Sequence, residues 1–247
     1  MPDFLIIGAQ KCGTTSLYCY LAEHPQIVTV PHKEVHFFDL NYERGLAWYD
    51  ACFPPSDRPD SIAGEASPYY LFHPQVPARV YRHFREIKLI VLLRNPVERA
   101  ISQYYHEVKL GFENLSLEEA IACEPQRLHG EVEKLSTDPA YYSYNHQHYT
   151  YLSRGCYLEQ LQRWQTYFPP EQFLILKTED LYVNPKKTLA RVLDFLKLPE
   201  IDLPTYPSYN SGSYPPTINL VKQQLNDYFK NPNKQLSEYL KQNFNWE

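Results

Sequence analysis

The chain has 247 residues, enough to bury one substantial core, and no internal repeat or low-complexity linker indicates a second domain. We therefore expect one domain over residues 1–247. The formal net charge is -5, which argues against nucleic acid or another polyanion as a partner, because such partners usually require a basic face.

The five cysteines show no metal-ligand spacing, and their odd number does not suggest a disulfide framework. The apolar start of the chain is too short for a signal peptide, and no apolar run reaches the ~18 residues that a membrane-spanning helix needs. We expect a cytoplasmic protein with no metal site and no membrane anchor.

A strand, a glycine-bounded turn and a helix make up the first element of the sequence. Phe4 to Ile7 is a continuous apolar run, typical of a parallel strand buried on both faces. Gly8 and Gly13 bound the turn, where a missing Cβ lets a ligand approach the backbone closely. The helix begins at Thr14, and its N-terminal N–H groups and dipole predict an anion site.

The spacing of Gly8 and Gly13 resembles a Walker A motif, with one difference that affects the chemistry. Position 14 is Thr, where a P-loop has the lysine that holds a triphosphate, and the loop's lysine is Lys11. We interpret Lys11 as a cation that contacts a bound anhydride without a metal ion. The alternative is a glycine-containing turn with an incidental lysine.

A second short strand, Ile27 to Val30, ends at Pro31. Glu34 and His36 follow it, and ligand sites of open α/β sheets collect beyond the carboxyl ends of strands. Both side chains are therefore candidate site residues. By itself, a glutamate such as Glu34 is most often a surface charge, and His36 could be a packed histidine.

The run Lys88 to Leu93 is the strongest signal of a central strand after the first. Asn95 can cap the following helix and Pro96 can occupy its first turn. Arg94 is thereby placed at a strand end, where a guanidinium can offer paired donors to a phosphate. The alternative is that Arg94 pairs with Glu98 on the helix surface.

The later part of the chain alternates an irregular region with further helices and one strand. Residues 136–152 are rich in Tyr and His, and we interpret them either as a lid over a bound acceptor substrate or as a surface insertion. His146 and His148 are spaced for a strand or loop rather than for a metal pair. Helical periodicity from Tyr157, a strand at 173–176 and helices after residues 184 and 218 complete an α/β fold. We expect a mostly parallel, P-loop-like sheet with helices on both faces.

The stretch GAQKCGTTSL, from Gly8 to Leu17, resembles the phosphosulfate-binding loop of sulfotransferases that use 3′-phosphoadenosine 5′-phosphosulfate (PAPS). The nearest group is that of the heparan sulfate N- and 3-O-sulfotransferases and their bacterial relatives. EVHFFD at 34–39, GLAWY at 45–49 and RNPVERAISQYYHEV at 94–108 match the same group in the same order. Together these matches are far more specific than the loop alone.

The resemblance implies PAPS as the co-substrate and 3′,5′-ADP as the product. It implies Glu34 as the general base, and His36 as a residue that orients Glu34 or contacts the acceptor. Arg94 and Ser102 correspond to the family's ligands of the 3′-phosphate. The residues expected to bind the nucleotide are Lys11, Cys12, Gly13, Thr14, Thr15, Ser16, Arg94, Ser102, Tyr157 and Ser213.

On the acceptor side, Ser67 matches a Ser-Pro turn of the family, and His73 is either an acceptor-side residue or a satisfied turn histidine. Heparan-specific relatives often have a lysine before this turn, and here Glu65 occupies its neighbourhood. Residues 210–214 stand where relatives have a basic Lys-Gly-Arg loop over the nucleotide phosphates, and they lack those basic side chains, so we expect less nucleotide affinity from this loop.

The acidic net charge, the Tyr-rich residues 136–152 and the expected absence of an anchor favour a small hydroxylated metabolite or a carrier-bound acyl chain as the acceptor rather than a glycosaminoglycan.

Two other functions remain open from the residues alone. A P-loop small-molecule or nucleoside kinase would require Mg²⁺ and ATP, and the missing Gly-Lys-Thr sequence argues against it. A nucleotide-binding module without catalysis would keep Arg94 and Ser102 but would not need Glu34.

Overall fold

The computed structural model describes residues 1–56, 58–209 and 219–246. The chain divides into two compact units, one made of residues 1–93 and 164–211 and the other of residues 94–163 and 212–247. All the strands described below lie in the first unit.

The described strands form one sheet of five, and they are β1 (Phe4–Gly8), β2 (Ile27–Thr29), β3 (Ile62–Ala66), β4 (Lys88–Leu93) and β5 (Phe173–Lys177). Their order in the sheet is β2-β3-β1-β4-β5, and each neighbouring pair is parallel. The expected parallel α/β sheet is confirmed. β2 and β3 lie on one side of β1, and β4 and β5 lie on the other, so the strand order changes direction beside β1. Such switch points are where α/β proteins bind ligands.

The two central apolar runs form strands because they can be buried on both faces. Phe4 to Ile7 are fully buried, as are Leu89 to Leu93. Ile6 lies between Ala66 of β3 and Ile90 of β4 in the sheet register. The core of the first unit therefore fixes the position at which the β1 backbone enters the loop before the first helix.

Helices connect and cover these strands, and the described ones are α1 (Thr14–Ala22), α2 (Leu46–Asp50), α3 (Val76–His83), α4 (Pro96–Lys109), α5 (Leu117–Leu128), α6 (Glu131–Thr137), α7 (Tyr144–His148), α8 (Tyr157–Gln165), α9 (Thr178–Val183), α10 (Pro185–Leu196) and α11 (Asn219–Leu240). In the first unit, α1 packs against β1, β2 and β3, and α10 packs against β5. No helix in the described part of the chain is both long and apolar enough to cross a membrane.

The second unit is helical in its described residues. Its core joins apolar side chains of α4, α5 and α11, namely Val97, Ile101, Leu117, Val221, Leu225 and Phe229. Asn95 caps α4 by accepting hydrogen bonds from the backbone of Val97 and Glu98, as its position before Pro96 predicts. The expected strand or loop at His146 and His148 is wrong, because the chain there forms the short helix α7.

Candidate active site

The loop between β1 and α1 presents a helix N-terminus at the carboxyl edge of the sheet. Gly13 is the N-terminal cap residue of α1 and has a left-handed backbone, with φ of 81°. Among the described residues, no side chain caps this helix end and no acidic residue lies in its first turn. The first turn of α1 therefore supplies no carboxylate of its own to offset the positive end of the helix dipole, which suits an anionic ligand.

Both glycines that bound this loop are required by its surroundings. A Cβ on Gly8 would lie 2.6 Å from Cβ of Leu71. A Cβ on Gly13 would lie 3.3 Å from Leu181 Cδ2 and 3.3 Å from the Tyr182 hydroxyl. Lys11 also has a positive φ, 66°, a conformation that surroundings must hold in a residue with a side chain. The loop backbone is thus shaped by close packing against Leu71, which follows β3, and against α9.

Two hydrogen bonds from distant parts of the chain hold the loop. The Thr178 hydroxyl donates to the Cys12 carbonyl at 2.7 Å, and the Tyr209 N–H donates to the Ser16 hydroxyl at 3.0 Å. Cys12 and Ser16 are fully buried, and the Cys12 N–H donates to the Ala9 carbonyl at 3.2 Å. Thr14 is also buried, whereas Lys11 and Thr15 are partly exposed.

Residues 33–39 follow β2, and we call them the 33–39 loop. The side chains of Lys33, Glu34, His36 and Asp39 are linked by ion pairs, and we call this row the ion-paired chain. Lys33 Nζ lies 3.0 Å from Glu34 Oε1, and His36 Nε2 lies 3.0 Å from Glu34 Oε2. His36 Nδ1 lies 2.8 Å from Asp39 Oδ2. The Asp39 side chain has no exposed surface, whereas the Glu34 side chain is 30% exposed. Of the two carboxylates in the ion-paired chain, Glu34 is therefore the one that a substrate can reach from solvent.

The charges in this chain stabilise one another. Burial by itself would raise the pKa of Glu34, but the hydrogen bond from His36 and the charge of Lys33 outweigh burial and lower the pKa to about 2. Burial would lower the pKa of His36, but Asp39 and then Glu34 raise it to about 10. At neutral pH, Glu34 is therefore an anion and His36 is a cation held between two carboxylates.

Two residues expected on the acceptor side are placed differently. The Ser67 hydroxyl is fully buried, accepts the His36 N–H at 3.1 Å and donates to Glu65 Oε2 at 2.7 Å. The hydroxyl thus both accepts and donates a hydrogen bond within the protein, and it supports the 33–39 loop instead of lining an acceptor site. Glu65 is fully buried as well, so it does not line an acceptor site. The lysine that heparan-specific relatives have near this position is absent, and the expectation of a different acceptor stays a prediction.

The sequence predicts that His73 is either an acceptor-side residue or a satisfied turn histidine, and its surroundings fit the turn histidine. Its side chain is 2% exposed, its ring packs edge-on against Tyr69, and its Nδ1 accepts the Gln75 N–H at 3.3 Å. Its burial leaves little surface for contact with an acceptor.

In the second unit, Arg94 directly follows β4 and Ser102 lies two turns along α4. The Arg94 guanidinium is 3.9 Å from Glu98 Oε2, a long and partly exposed ion pair. The Tyr157 hydroxyl donates to the Arg94 carbonyl at 2.8 Å. Tyr157 is buried and holds the Arg94 backbone. Ser213, the remaining expected nucleotide ligand, lies outside the described residues.

Sequence reasoning gave no role to Lys33 and Asp39, the outer members of the ion-paired chain. Asp39 lies within the EVHFFD motif and three residues after His36, so the motif itself held the signal. Lys33 gave no signal beyond its position next to Glu34. Within residues 1–56, 58–209 and 219–246, no group of three or more His, Cys, Asp or Glu side chains could hold a metal ion.

Comparisons with known proteins identify the family of this chain. A family model described as a sulfotransferase domain matches residues 1–231. The chain belongs to this sulfotransferase family, and it is an enzyme of the sulfotransferase class. The likeness to that family expected from the loop and the three motifs is confirmed.

Individual relatives cover most or all of this chain. The membrane-associated sulfotransferase kil1 of Dictyostelium discoideum is 29% identical over 100% of this chain and 67% of its own length. Heparan sulfate glucosamine 3-O-sulfotransferase 5 of Mus musculus is 36% identical over 81% of this chain, which spans 54% of that relative. The chain thus spans only about half the length of the heparan sulfate enzyme.

Solved structures show the same fold. A sulfotransferase from Alicyclobacillus acidocaldarius has a TM-score of 0.79 and 28% identity, over 98% of this chain and 97% of that one. The sulfotransferase domain from the curacin biosynthetic pathway has a TM-score of 0.56 at 14% identity, which shows a common fold. The expected P-loop-like α/β fold is confirmed.

Proposed function

We propose that this enzyme transfers a sulfuryl group from PAPS to a hydroxyl, or an amine, of a small-molecule, acyl-chain or saccharide acceptor. The observation that carries the proposal is the ion-paired chain Lys33-Glu34-His36-Asp39. It offers one ionised, partly exposed carboxylate in the unit that also carries the uncapped N-terminus of α1. A nucleotide-binding module without catalysis would not need such a carboxylate.

In the proposed reaction, the acceptor oxygen attacks sulfur in line with the phosphosulfate bond. The new bond joins the acceptor oxygen to sulfur, and the bond from sulfur to the bridging oxygen of the 5′-phosphate breaks. Glu34 takes the proton of the acceptor hydroxyl, and 3′,5′-ADP leaves with the electron pair. A positioned base of this kind typically contributes about 10² to 10⁴ in rate.

The choice of Glu34 over His36 as the base rests on their charges. His36 already carries its proton between Glu34 and Asp39, so it has no nitrogen lone pair to accept another. Glu34 is anionic, and the acceptor hydroxyl becomes acidic as its bond to sulfur forms. His36 then orients the Glu34 carboxylate, while Asp39 holds the imidazole ring.

On the donor side, the proposed ligands of the leaving phosphate are Lys11 and the N–H groups from Gly13 to Ser16. Negative charge grows on the bridging oxygen in the transition state, and in this proposal these fixed donors stabilise it as an oxyanion hole does. Arg94 and Ser102 are the proposed ligands of the 3′-phosphate. Tyr157 supports Arg94 by donating its hydroxyl to the Arg94 carbonyl. Cys12, Thr14, Thr15 and Ser213 complete the proposed nucleotide contacts.

Nucleotide binding tests the donor, and sulfate transfer tests the reaction. Calorimetry should show that 3′,5′-ADP binds at least about tenfold more tightly than AMP, a difference of ~1.4 kcal/mol. ATP with Mg²⁺ should show no such advantage over AMP. Labelled sulfate should then move from PAPS to one of a panel of hydroxyl and amine acceptors. Equal affinity for 3′,5′-ADP and AMP would contradict the proposed donor.

A further inference from the structure

A buried carboxylate at the end of β3 joins the sheet to the 33–39 loop. Glu65 is fully buried, and three hydroxyl groups surround its two oxygens. Its Oε2 accepts from Ser67 at 2.7 Å. Its Oε1 accepts from Tyr70 at 2.7 Å and from Tyr49 at 3.0 Å. A carboxylate with this many donors is satisfied in the interior even though it is away from water.

Two of these hydroxyls continue to the backbone of the loop. The Ser67 hydroxyl accepts the His36 N–H at 3.1 Å. The Tyr70 hydroxyl accepts the Phe37 N–H at 2.8 Å and the Phe38 N–H at 3.3 Å. Because each hydroxyl accepts from the loop, its own hydrogen points to Glu65. One carboxylate thus sets the direction of the hydrogen bonds that three successive loop residues make.

The loop needs such support at His36. This residue has φ of 52°, in the left-handed region that residues with a Cβ rarely occupy. A backbone of that kind persists only where its surroundings hold it. His36 is also the residue whose ring joins Glu34 to Asp39. A relaxation of its backbone would lengthen both ion pairs.

We infer that Glu65 is a positioning residue for sulfuryl transfer. Through Ser67 and Tyr70 it holds the backbone of residues 36–38, and thereby the His36 ring and the Glu34 carboxylate, in the geometry that takes the acceptor proton. Glu65 touches no reacting atom. The inference rests on the proposed roles of Glu34 and His36 and adds the device that keeps them in place.

Tyr49 provides a matched control for Tyr70. Both hydroxyls donate to the same oxygen of Glu65, and both rings pack against phenylalanines of the loop. Among the described residues, the Tyr49 hydroxyl contacts Glu65 and no backbone group of the loop. Tyr49→Phe and Tyr70→Phe therefore each remove one buried hydroxyl from Glu65, and Tyr70→Phe also cuts the link to residues 37 and 38.

The test compares Tyr70→Phe, Ser67→Ala and Tyr49→Phe in the full chain. By analogy with the hydrogen bonds that support metal ligands, whose loss costs about 10- to 100-fold in activity, we expect a loss of that size in kcat for Tyr70→Phe and Ser67→Ala. KM for PAPS and the affinity for 3′,5′-ADP should change by less than about twofold, because nucleotide binding does not use this loop. Tyr49→Phe should keep kcat within about twofold of the wild-type value.

A second measurement does not depend on turnover. Nuclear magnetic resonance titration should show a lower pKa of the His36 ring in Tyr70→Phe and Ser67→Ala, because its carboxylate partners move away. The His36 pKa should be unchanged in Tyr49→Phe. Urea unfolding of all variants would show whether each one folds.

The outcomes separate this inference from the proposed function. Equal kcat and equal His36 pKa in Tyr70→Phe and Tyr49→Phe would overturn it and leave Glu65 a stabilising residue only. If the wild-type enzyme transferred no sulfate to any acceptor, the proposed function would fail. The His36 titration would still support the inference if the pKa shifted in Tyr70→Phe and Ser67→Ala but not in Tyr49→Phe, and would refute it otherwise.

Discussion

Glu34 divides its two oxygens between Lys33 and His36, and both contacts keep it ionised. We predict that Glu34→Gln lowers kcat by about 10² to 10⁴, because an amide cannot take the acceptor proton. The affinity for 3′,5′-ADP, measured by calorimetry, should stay within about twofold, since the substitution is on the acceptor side.

A surface glutamate controls for the loss of a charge. Glu238 pairs weakly with Lys234 at 3.9 Å, and its side chain is 67% exposed. Glu238→Gln should therefore have wild-type kinetics. Normal turnover by Glu34→Gln with the natural acceptor would reject Glu34 as the base and make His36 the first candidate.

The ion-paired chain also predicts how stability depends on pH. The pKa of His36 is raised from 6.5 to about 10, so its contribution is fully present below pH 6.5 and is lost as the pH rises to about 10. The pKa of Glu34 is lowered from 4.5 to about 2, so its contribution is present above pH 4.5 and is lost as the pH falls to about 2. The stabilising effect is complete between pH 4.5 and 6.5.

Urea unfolding of wild type and His36→Gln at several pH values checks this prediction. The wild type should exceed the variant in free energy of unfolding by the largest amount near pH 6, and the difference should shrink steadily as the pH rises to about 10. A difference that stays constant over this range would show that His36 does not titrate between its carboxylates.

At the scale of elements, Gly13 sets the start of α1. We predict that Gly13→Ala lowers the free energy of unfolding by about 1 to 2 kcal/mol, because a residue with a Cβ is strained in the left-handed region. It should also weaken 3′,5′-ADP binding about tenfold. The reason is that the new Cβ would press on Leu181 and Tyr182, and the loop would have to shift.

Gly130 is a suitable control because it is the corresponding cap residue of α6. It has the same left-handed conformation, with φ of 74°, and a Cβ there would meet no atom within 4 Å among the described residues. Gly130→Ala should lose comparable stability and bind 3′,5′-ADP normally. Equal nucleotide affinity in both variants would mean that packing around Gly13 does not shape the anion site.

The elements that the sequence predicts well are those with unbroken apolar runs. β1 and β4 are read directly from Phe4–Ile7 and Lys88–Leu93, because burial on both faces leaves a continuous signal. β3 is missed, although it lies between β1 and β2 in the sheet, because its sequence IAGEA contains a glycine and a glutamate. Its glutamate is Glu65, whose burial depends on three hydroxyls from elsewhere in the sequence.

The candidate site is predictable in part for the same reason. Lys11 lies within the loop after β1, and Glu34 and His36 follow β2, so the topology of the first unit places these three at the carboxyl edge of its sheet. The network through Glu65, Tyr70 and Tyr49 is set by tertiary packing that no local pattern shows. The expected binding roles of the site residues stay predictions, and so does a single domain over residues 1–247.

At the scale of the whole molecule, the net charge of -5 bears on the choice of acceptor. We predict that a sulfated oligosaccharide is a poorer acceptor than the same oligosaccharide without sulfate, by about tenfold in kcat/KM at low salt. The ratio should fall toward one as salt rises, because the Debye length shortens from about 10 Å at 0.1 M to about 3 Å at 1 M. Preference for the sulfated sugar at every salt concentration would contradict this prediction.

The two hydrogen bonds that hold the β1–α1 loop and the first turn of α1 affect the order in which this part of the enzyme folds. Thr178 and Tyr209 are separated in sequence from Cys12 and Ser16 by 166 and 193 residues. Each bond therefore joins two segments of the first unit that are far apart in sequence. Contacts of such long range form slowly, because the entropy of closing the intervening loop must be overcome first. The turn between β1 and α1 therefore takes its final shape only after the segments that carry Thr178 and Tyr209 have packed against it.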